Sequence, residues 1–410
     1  MFHRATVIAA SSFLALSLLT VSARQSQPPQ PAAGQAQPTF RTGVNLVELP
    51  VRITDRQSNF VRDLKQSDFE VYEDGVRQEI ASFRLVDVPL PDPRKPFVEP
   101  RASAAPATPL VLHEGDTIDG RIYLFVLDDY HLLPQYSYRV KVIVESFVRQ
   151  RMGPQDIAAI TYTSQTPGQD FTRDRRALVS SLGRFMGSLD ALEPGGTQFV
   201  KSIAVLDKIR SMAEVLGHIR SRHKALVFIT PTLGCVTQEQ AMPPVSAPTS
   251  PTGLISGNGR VVNMPTPNTT PSRCFNTLWD SVSAATQANV SIYSFDPTMT
   301  ENPGWASPSI DGRGGPDAAV QLQQASDGNP TSVFDGARVL ASETGGFSVF
   351  NVNNFSKALD RIVREHSLYY LIGYYPSNDK ADGKVRKNAV ALSRNDVQAS
   401  YRPAYTAPKN

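Results

Sequence analysis

At 410 residues the chain is long enough for two or three domains, and a content of 40% hydrophobic and 19% charged residues fits a globular protein with some low-complexity segments. Its 41 basic and 38 acidic residues leave a net charge of +3. That is too small and too evenly spread to point to a nucleic-acid partner, and no basic stripe interleaved with aromatics is present.

The N-terminus opens with His3 and Arg4 before the apolar stretch "ATVIAASSFLALSLLTVSA", and Val21-Ser22-Ala23 offers small residues for cleavage. This reads as a signal peptide over 1–23, removed after Ala23, with a retained membrane anchor as the alternative. No later stretch is apolar over the roughly 20 residues a span needs, so no membrane span is expected after cleavage. The expected location is secreted or periplasmic. In such an oxidising compartment the only two cysteines, Cys235 and Cys274, can pair, two free thiols being the other reading. They bracket a segment with seven prolines between 241 and 271. Closing a loop of that size is worth at most about 4 kcal/mol.

Residues 24–40, rich in Gln, Pro and Ala, read as a disordered tether. A small β domain follows over 41–88. Val44, Leu46, Leu49, Val51 and Ile53 suggest a strand that changes phase near Pro50, and Asp74-Gly75 is a hairpin signal. Seven prolines mark 89–119 as a linker.

From 120 to 376 the texture becomes α/β. "RIYLFVLDD", "DIAAITYTS", "KALVFIT" and "NVSIYSF" are continuous apolar runs, as expected of strands buried on both faces of a parallel sheet. Between them, Val140, Ile143, Val144, Phe147 and Val148 fall at helical spacing, and Leu178, Leu182, Phe185, Met186 and Leu189 suggest a second helical face. The stretches 197–222, 275–288, 336–344 and 355–367 also read as helices, and "LYYLIGYYP" as the last strand. The fold class is α/β: a doubly wound, mainly parallel sheet with helices on both faces, interrupted by an insertion at 235–274. Residues 377–410 return to β as a hairpin around Arg394-Asn395-Asp396 and a tail. They are expected to join 41–88 in one sandwich, since neither piece holds enough strands alone.

Asp156 before the second strand, Gly195-Gly196-Thr197, and the run "LASETGGFSVFNVNNFSKALDRIVREHSLYYLIGYYP" (340–376) together resemble a von Willebrand factor type A (VWFA) domain. The N-terminal "ITDRQSNFVRDLKQSDFEVYEDGVRQEI" (53–80) resembles that of bacterial secreted VWFA-related proteins. The resemblance implies a Rossmann-like fold with a metal-ion-dependent adhesion site at the carboxyl edge of the sheet. There an Asp-x-Ser-x-Ser motif, a Thr and a second Asp hold Mg²⁺ or Mn²⁺. Asp128 and Thr197 match this pattern, but Tyr130 and Leu132 replace the two Ser, and Pro231-Thr232 stands where Asp-Gly is expected. The site is therefore read as degenerate, with no cofactor expected, and with Asp128 bonding loop amides or the Thr197 hydroxyl. Asp129 is expected to point away from Asp128, and His131 to be solvated or capping.

No G-x-S-x-G, H-E-x-x-H or phosphate-loop motif is present. The expected function is a non-enzymatic, adhesion- or scaffold-type module that meets a protein or cell-envelope partner through Asp128, Asp129, Tyr130, His131 and Thr197. A metal-dependent hydrolase and a structural envelope protein are the alternatives.

Overall fold

A computed structural model describes residues 46–57, 59–91, 118–189, 195–219, 222–231, 233–235, 254–255, 261–262, 270–298, 334–350, 352 and 354–409. The expected signal peptide, tether and most of the linker lie outside these residues, as does most of the 235–274 insertion. Among the described residues no helix is long and apolar enough to cross a membrane.

In chain order the strands and helices begin with β1 (Val47–Asp55), β2 (Phe69–Glu73), β3 (Val76–Gln78) and β4 (Ile80–Asp87). Next come β5 (Ile122–Leu127), α1 (Ser137–Arg151), β6 (Ile157–Tyr162), β7 (Gln169–Thr172), α2 (Arg175–Ser181), α3 (Gly195–Gly217) and β8 (Lys224–Ile229). Short strands β9 (Gly234–Cys235), β10 (Leu254–Ile255) and β11 (Val261–Val262) lead to α4 (Thr270–Gln287) and β12 (Val290–Phe295). The chain continues through β13 (Phe334–Asp335), α5 (Gly336–Glu343), β14 (Ser348–Val349), α6 (Ser356–Ser367) and β15 (Leu368–Tyr374). It closes with β16 (Val385–Leu392), β17 (Val397–Tyr401) and β18 (Ala404–Thr406).

The α/β sheet has the order β14-β12-β8-β5-β6-β7 and is parallel except for the edge pair β6–β7. The apolar runs are explained by burial on both faces. Ile122, Leu124 and Val126 of β5 share one core with Leu206 and Ile209 of α3, Leu278 of α4 and Leu340 of α5. Tyr123, Phe125 and Leu127 face a second core with Phe147 of α1, Leu178 of α2 and Ile362 of α6. Helix α1 buries the five apolar positions expected of it. Helix α2 is shorter than its apolar spacing suggests. Asp174 caps it by accepting from the Arg176 and Ala177 amides, and it tightens into a 3₁₀ turn at Leu182–Arg184. Met186 and Leu189 thus fall in the following loop, and Met186 is exposed.

The last expected α/β strand, β15, lies in neither face of that sheet. It pairs antiparallel with β1 and β4, at the centre of a four-stranded sheet of order β17-β1-β15-β4. A second sheet, β18-β16-β2-β3, completes a sandwich. The two share a core of Val47, Leu49, Val51, Ile53, Phe69, Val71, Tyr370, Ile372 and Tyr374. The expected C-terminal hairpin does not form. β16 pairs with β2 and β18, whereas β17 pairs with β1, so residues 393–396 are a corner between sheets. β1 shows no phase change at Pro50 either: 47, 49, 51 and 53 all point inward. Pro50 opposes Leu371 of β15 at a position that β17, which starts its pairing at Val51, does not reach. That side of the strand is locally an edge, where a missing N–H is tolerated. Asp74 and Gly75 both have positive φ (47° and 82°), the conformation of the tight hairpin turn their sequence predicts.

Candidate functional site

Parallel register sets three strand ends abreast. Leu127 of β5 lies opposite Tyr162 of β6 and Ile229 of β8, so the next residues, Asp128, Thr163 and Thr230, stand side by side at the carboxyl edge. Backbone bonds continue the ladder one step, from the Asp128 amide to the Ile229 carbonyl (3.0 Å) and from the Thr163 amide to the Leu127 carbonyl (3.0 Å). The Thr230 amide likewise reaches the Phe295 carbonyl (3.0 Å).

Asp128 is fully buried. Its Oδ1 accepts from the His131 amide (3.2 Å) and the Thr163 hydroxyl (3.1 Å). Its Oδ2 accepts from His131 Nδ1 (2.7 Å) and the Thr230 hydroxyl (2.7 Å). Burial pushes the Asp128 carboxyl up, but the His131 ring, the Thr230 hydroxyl and the His131 amide outweigh it and hold the carboxyl below its usual range. Asp129 turns toward Asp128 rather than away. Its Oδ1 meets the same Thr163 hydroxyl at 2.8 Å and the Ser164 amide at 2.9 Å. The single Thr163 proton is thus shared between two carboxylates.

His131 is also not solvated. It is 2% exposed, and its Nε2 lies 3.3 Å from the hydroxyl of Ser202, a fully buried residue on α3. Ser202, His131 and Asp128 thereby form a serine–histidine–aspartate line. A nucleophile also needs room for an acyl carbon beside its oxygen, and a serine with no exposed surface on a packed helix face offers none.

The loop after α2 closes over the site. The Ser188 amide and hydroxyl donate to the Asp129 carbonyl (2.7 and 2.9 Å), and the Leu189 amide donates to the Leu132 carbonyl (3.0 Å). Gly187 is required there, because a Cβ would run into the Leu132 carbonyl oxygen. Of the expected site residues, Asp128, Asp129 and His131 are buried, so their side chains are not offered to a partner. Tyr130 is half-buried, with the Lys201 ammonium 5.9 Å from its ring centroid. Thr197 falls in the first turn of α3, and its side chain lies outside the described residues. Sequence reasoning passed over Thr163, Thr230 and Ser202. A Thr directly after each apolar strand, in "AITYT" and "VFIT", was the available signal for two of them.

The donor set does not suit a divalent ion. A carboxylate offers about four lone-pair positions, and at Asp128 each is approached by a donor of the chain itself, one of them the Thr163 proton shared with Asp129. The Leu132 side chain carries no oxygen and is buried. Among the described residues no group of three His, Cys, Asp or Glu side chains is arranged to hold a metal.

Cys235 and Cys274 form a disulfide with Cα atoms 5.6 Å apart. Cys235 lies five residues beyond Thr230, and the bridge joins β9 to α4. β9, which contains Cys235, pairs with β13.

No family model matches the chain, and no curated protein matches it. Similar solved structures include an aerotolerance-related membrane protein from Bacteroides fragilis NCTC 9343 with multiple mutations to serines. It is 12% identical with a TM-score of 0.31, covering 60% of this chain and 98% of that one. A conserved hypothetical protein, BatB, from Bacteroides thetaiotaomicron is 11% identical with a TM-score of 0.31, covering 60% of this chain and 97% of its own.

Proposed function

We propose that the chain is an exported, non-enzymatic interaction module of the VWFA type, whose carboxyl-edge face meets a protein or cell-envelope component without a bridging metal. The observation that carries this reading is the saturation of Asp128 by four donors of its own chain. In the resembled motif that carboxylate holds the ion. Here His131, Thr163 and Thr230 occupy the ion's place, and a locked strand edge replaces a coordination sphere. The absence of reaction chemistry in this proposal rests on the burial of Ser202 and His131. The surface left for a partner includes the half-buried Tyr130, with the Lys201 ammonium 5.9 Å from its ring centroid.

The test is affinity for a partner isolated from the envelope, measured in EDTA and in millimolar Mg²⁺. The two should differ by less than tenfold, or about 1.4 kcal/mol. Tyr130→Ala should weaken binding in both buffers alike. A hundredfold loss on chelation would overturn the metal-free reading.

A further inference from the structure

At the opposite, amino edge of the α/β sheet, where it meets the sandwich, two imidazoles stack with centroids 4.1 Å apart. His223 directly precedes β8, and His366 is the second-last residue of α6, two positions before β15 begins. His366 is buried. Its Nδ1 lies 3.2 Å from the His223 carbonyl, which can only accept, so Nδ1 carries a proton. Its Nε2 lies 2.9 Å from the Tyr293 hydroxyl, which is also 3.0 Å from Glu365 Oε2.

A phenol has one proton to give. When His366 is neutral, Tyr293 directs that proton to Nε2. When His366 is charged, Nε2 donates to the phenol oxygen and Tyr293 turns its proton to Glu365. Both arrangements satisfy the three groups, and only an O–H rotation separates them. His223 has no such freedom. The Ser291 hydroxyl donates to the Thr344 carbonyl (2.9 Å), so it accepts from His223 Nε2 (2.8 Å). Nδ1 of His223 is then a bare acceptor with no partner among the described residues.

The charges facing this pair come from every element around it. Arg121 at the start of β5 is closed onto Asp156 (2.9 Å) and donates to Ser367 (2.8 Å). Lys224 of β8 donates to the Ile219 carbonyl (2.5 Å). Arg402, after β17, donates to the Thr286 carbonyl (2.6 Å) and the Glu48 carbonyl (3.4 Å). Arg52 of β1 reaches the Arg364 carbonyl (3.2 Å), and Glu365 pairs with Arg361 (2.6 Å). The phenols of Tyr123, Tyr293 and Tyr369 are pushed up by burial and carry no charge. Glu48 is the carboxylate that acts on Lys224 and Arg402.

We propose that Glu365, Tyr293 and His366 form a proton-entry relay, and that the His223–His366 stack is an acid-released latch between the α/β sheet and the sandwich. A proton taken up by His366 places a cation against a second imidazole in a seam that already holds Lys224 and Arg402. Relief comes from separating the rings. Because His223 leads into β8, a central strand of one sheet, and His366 into β15, a central strand of the other, separation loosens the seam.

Burial holds both rings neutral, with His366 pushed down to about 3 and His223 well below its ordinary value by burial and then by His366. The open seam therefore binds more protons than the closed one from about pH 6.5, the ordinary histidine value, down to about 3. Closure is favoured at neutral pH and is lost as the pH falls through that window.

Hydrogen exchange of the intact chain, read by mass spectrometry from pH 7.5 to 4.5 and corrected for the intrinsic rate, tests the latch. Peptides covering 223–229, 290–295 and 362–374 should lose at least tenfold in protection across this range, while 157–162 keeps its own. His366→Phe retains a stacking ring but cannot take a proton, and should flatten the profile at the seam. His223→Gln keeps an N–H for Ser291 and should flatten it as well, giving a second route if the first variant does not fold. Tyr293→Phe takes from the closed seam both the donor to the neutral ring and the acceptor of the charged one, and should move the midpoint to higher pH. Seam protection that is constant with pH in the wild type, or an unchanged acid profile in the histidine variants, would overturn the proposal.

Discussion

At Asp128 the donors that fill the carboxylate are themselves buried. Removing the carboxylate takes away the buried acceptor of His131 Nδ1 and the Thr230 hydroxyl, while the Thr163 hydroxyl keeps Asp129. Breaking a buried pair from one side costs about 3–5 kcal/mol, far more than losing one exposed loop bond. Asp128→Ala should therefore lower unfolding stability by about 3 kcal/mol or more. Urea denaturation at neutral pH measures it, and a loss under about 1 kcal/mol would show that the strand ends do not depend on this cluster. The pH dependence carries the opposite sign to that of a raised group. Because the folded carboxyl sits below its usual range, its contribution is complete above about pH 4 and fades as the pH drops through the lowered value. The seam histidines act from about pH 6.5 downward, so an acid titration separates the two clusters.

Among the elements, the disulfide and the pair β9–β13 act together on the carboxyl edge. Cys235 belongs to β9 and opposes Phe334 of β13, while Cys274 lies in α4. The two cysteines are 39 positions apart, a loop whose closure is worth at most about 4 kcal/mol in the chain-entropy view. The double variant Cys235→Ser, Cys274→Ser should lose about 2–4 kcal/mol, measured by urea unfolding against the oxidised wild type, with the α/β core still formed. A loss within error of zero would mean that β9–β13 holds the edge without the bridge. The pairing of the two cysteines was expected from the compartment alone, since nothing else in the chain competed for them. The shortening of α2 was not. Leu178, Leu182 and Phe185 are buried as their spacing predicts, but Gly183 and the demand for a loop over Asp129 end the helix before Met186.

Over the molecule, the sandwich is assembled from segments 281 to 350 residues apart in their pairing, from Asp87 with Leu368 to Val51 with Tyr401. Val71 opposes Val390, Val51 opposes Tyr401, and the Tyr374 hydroxyl lies within hydrogen-bond distance of both Glu73 (3.0 Å) and Asn388 (2.9 Å) in its core. Deleting 384–410 removes β16, β17 and β18 together, leaving β2–β3 as an isolated pair and β1 with an open edge. Two strands alone are marginal in water. The truncated protein should show rapid protease cleavage within 47–87 while 122–295 stays resistant; a protected 47–87 fragment would show that the N-terminal strands are stable without the C-terminal ones.

What the sequence determined by itself is whatever periodicity and local chemistry encode. The buried runs of β5, β6, β8 and β12, the amphipathic α1 and α6, the Asp74-Gly75 turn and the special status of the position after "YLFVL" are all of this kind. Tertiary structure alone decided the rest, because it depends on which segments meet. "LYYLIGYYP" reads the same whether its neighbours are parallel or antiparallel, and only pairing with β1 and β4 places it in the sandwich. His131 looks like any loop histidine until register brings Thr163 and Thr230 to either side of Asp128 and closes the site around it. His223 and His366 are 143 residues apart, and no local pattern foretells that the fold stacks them.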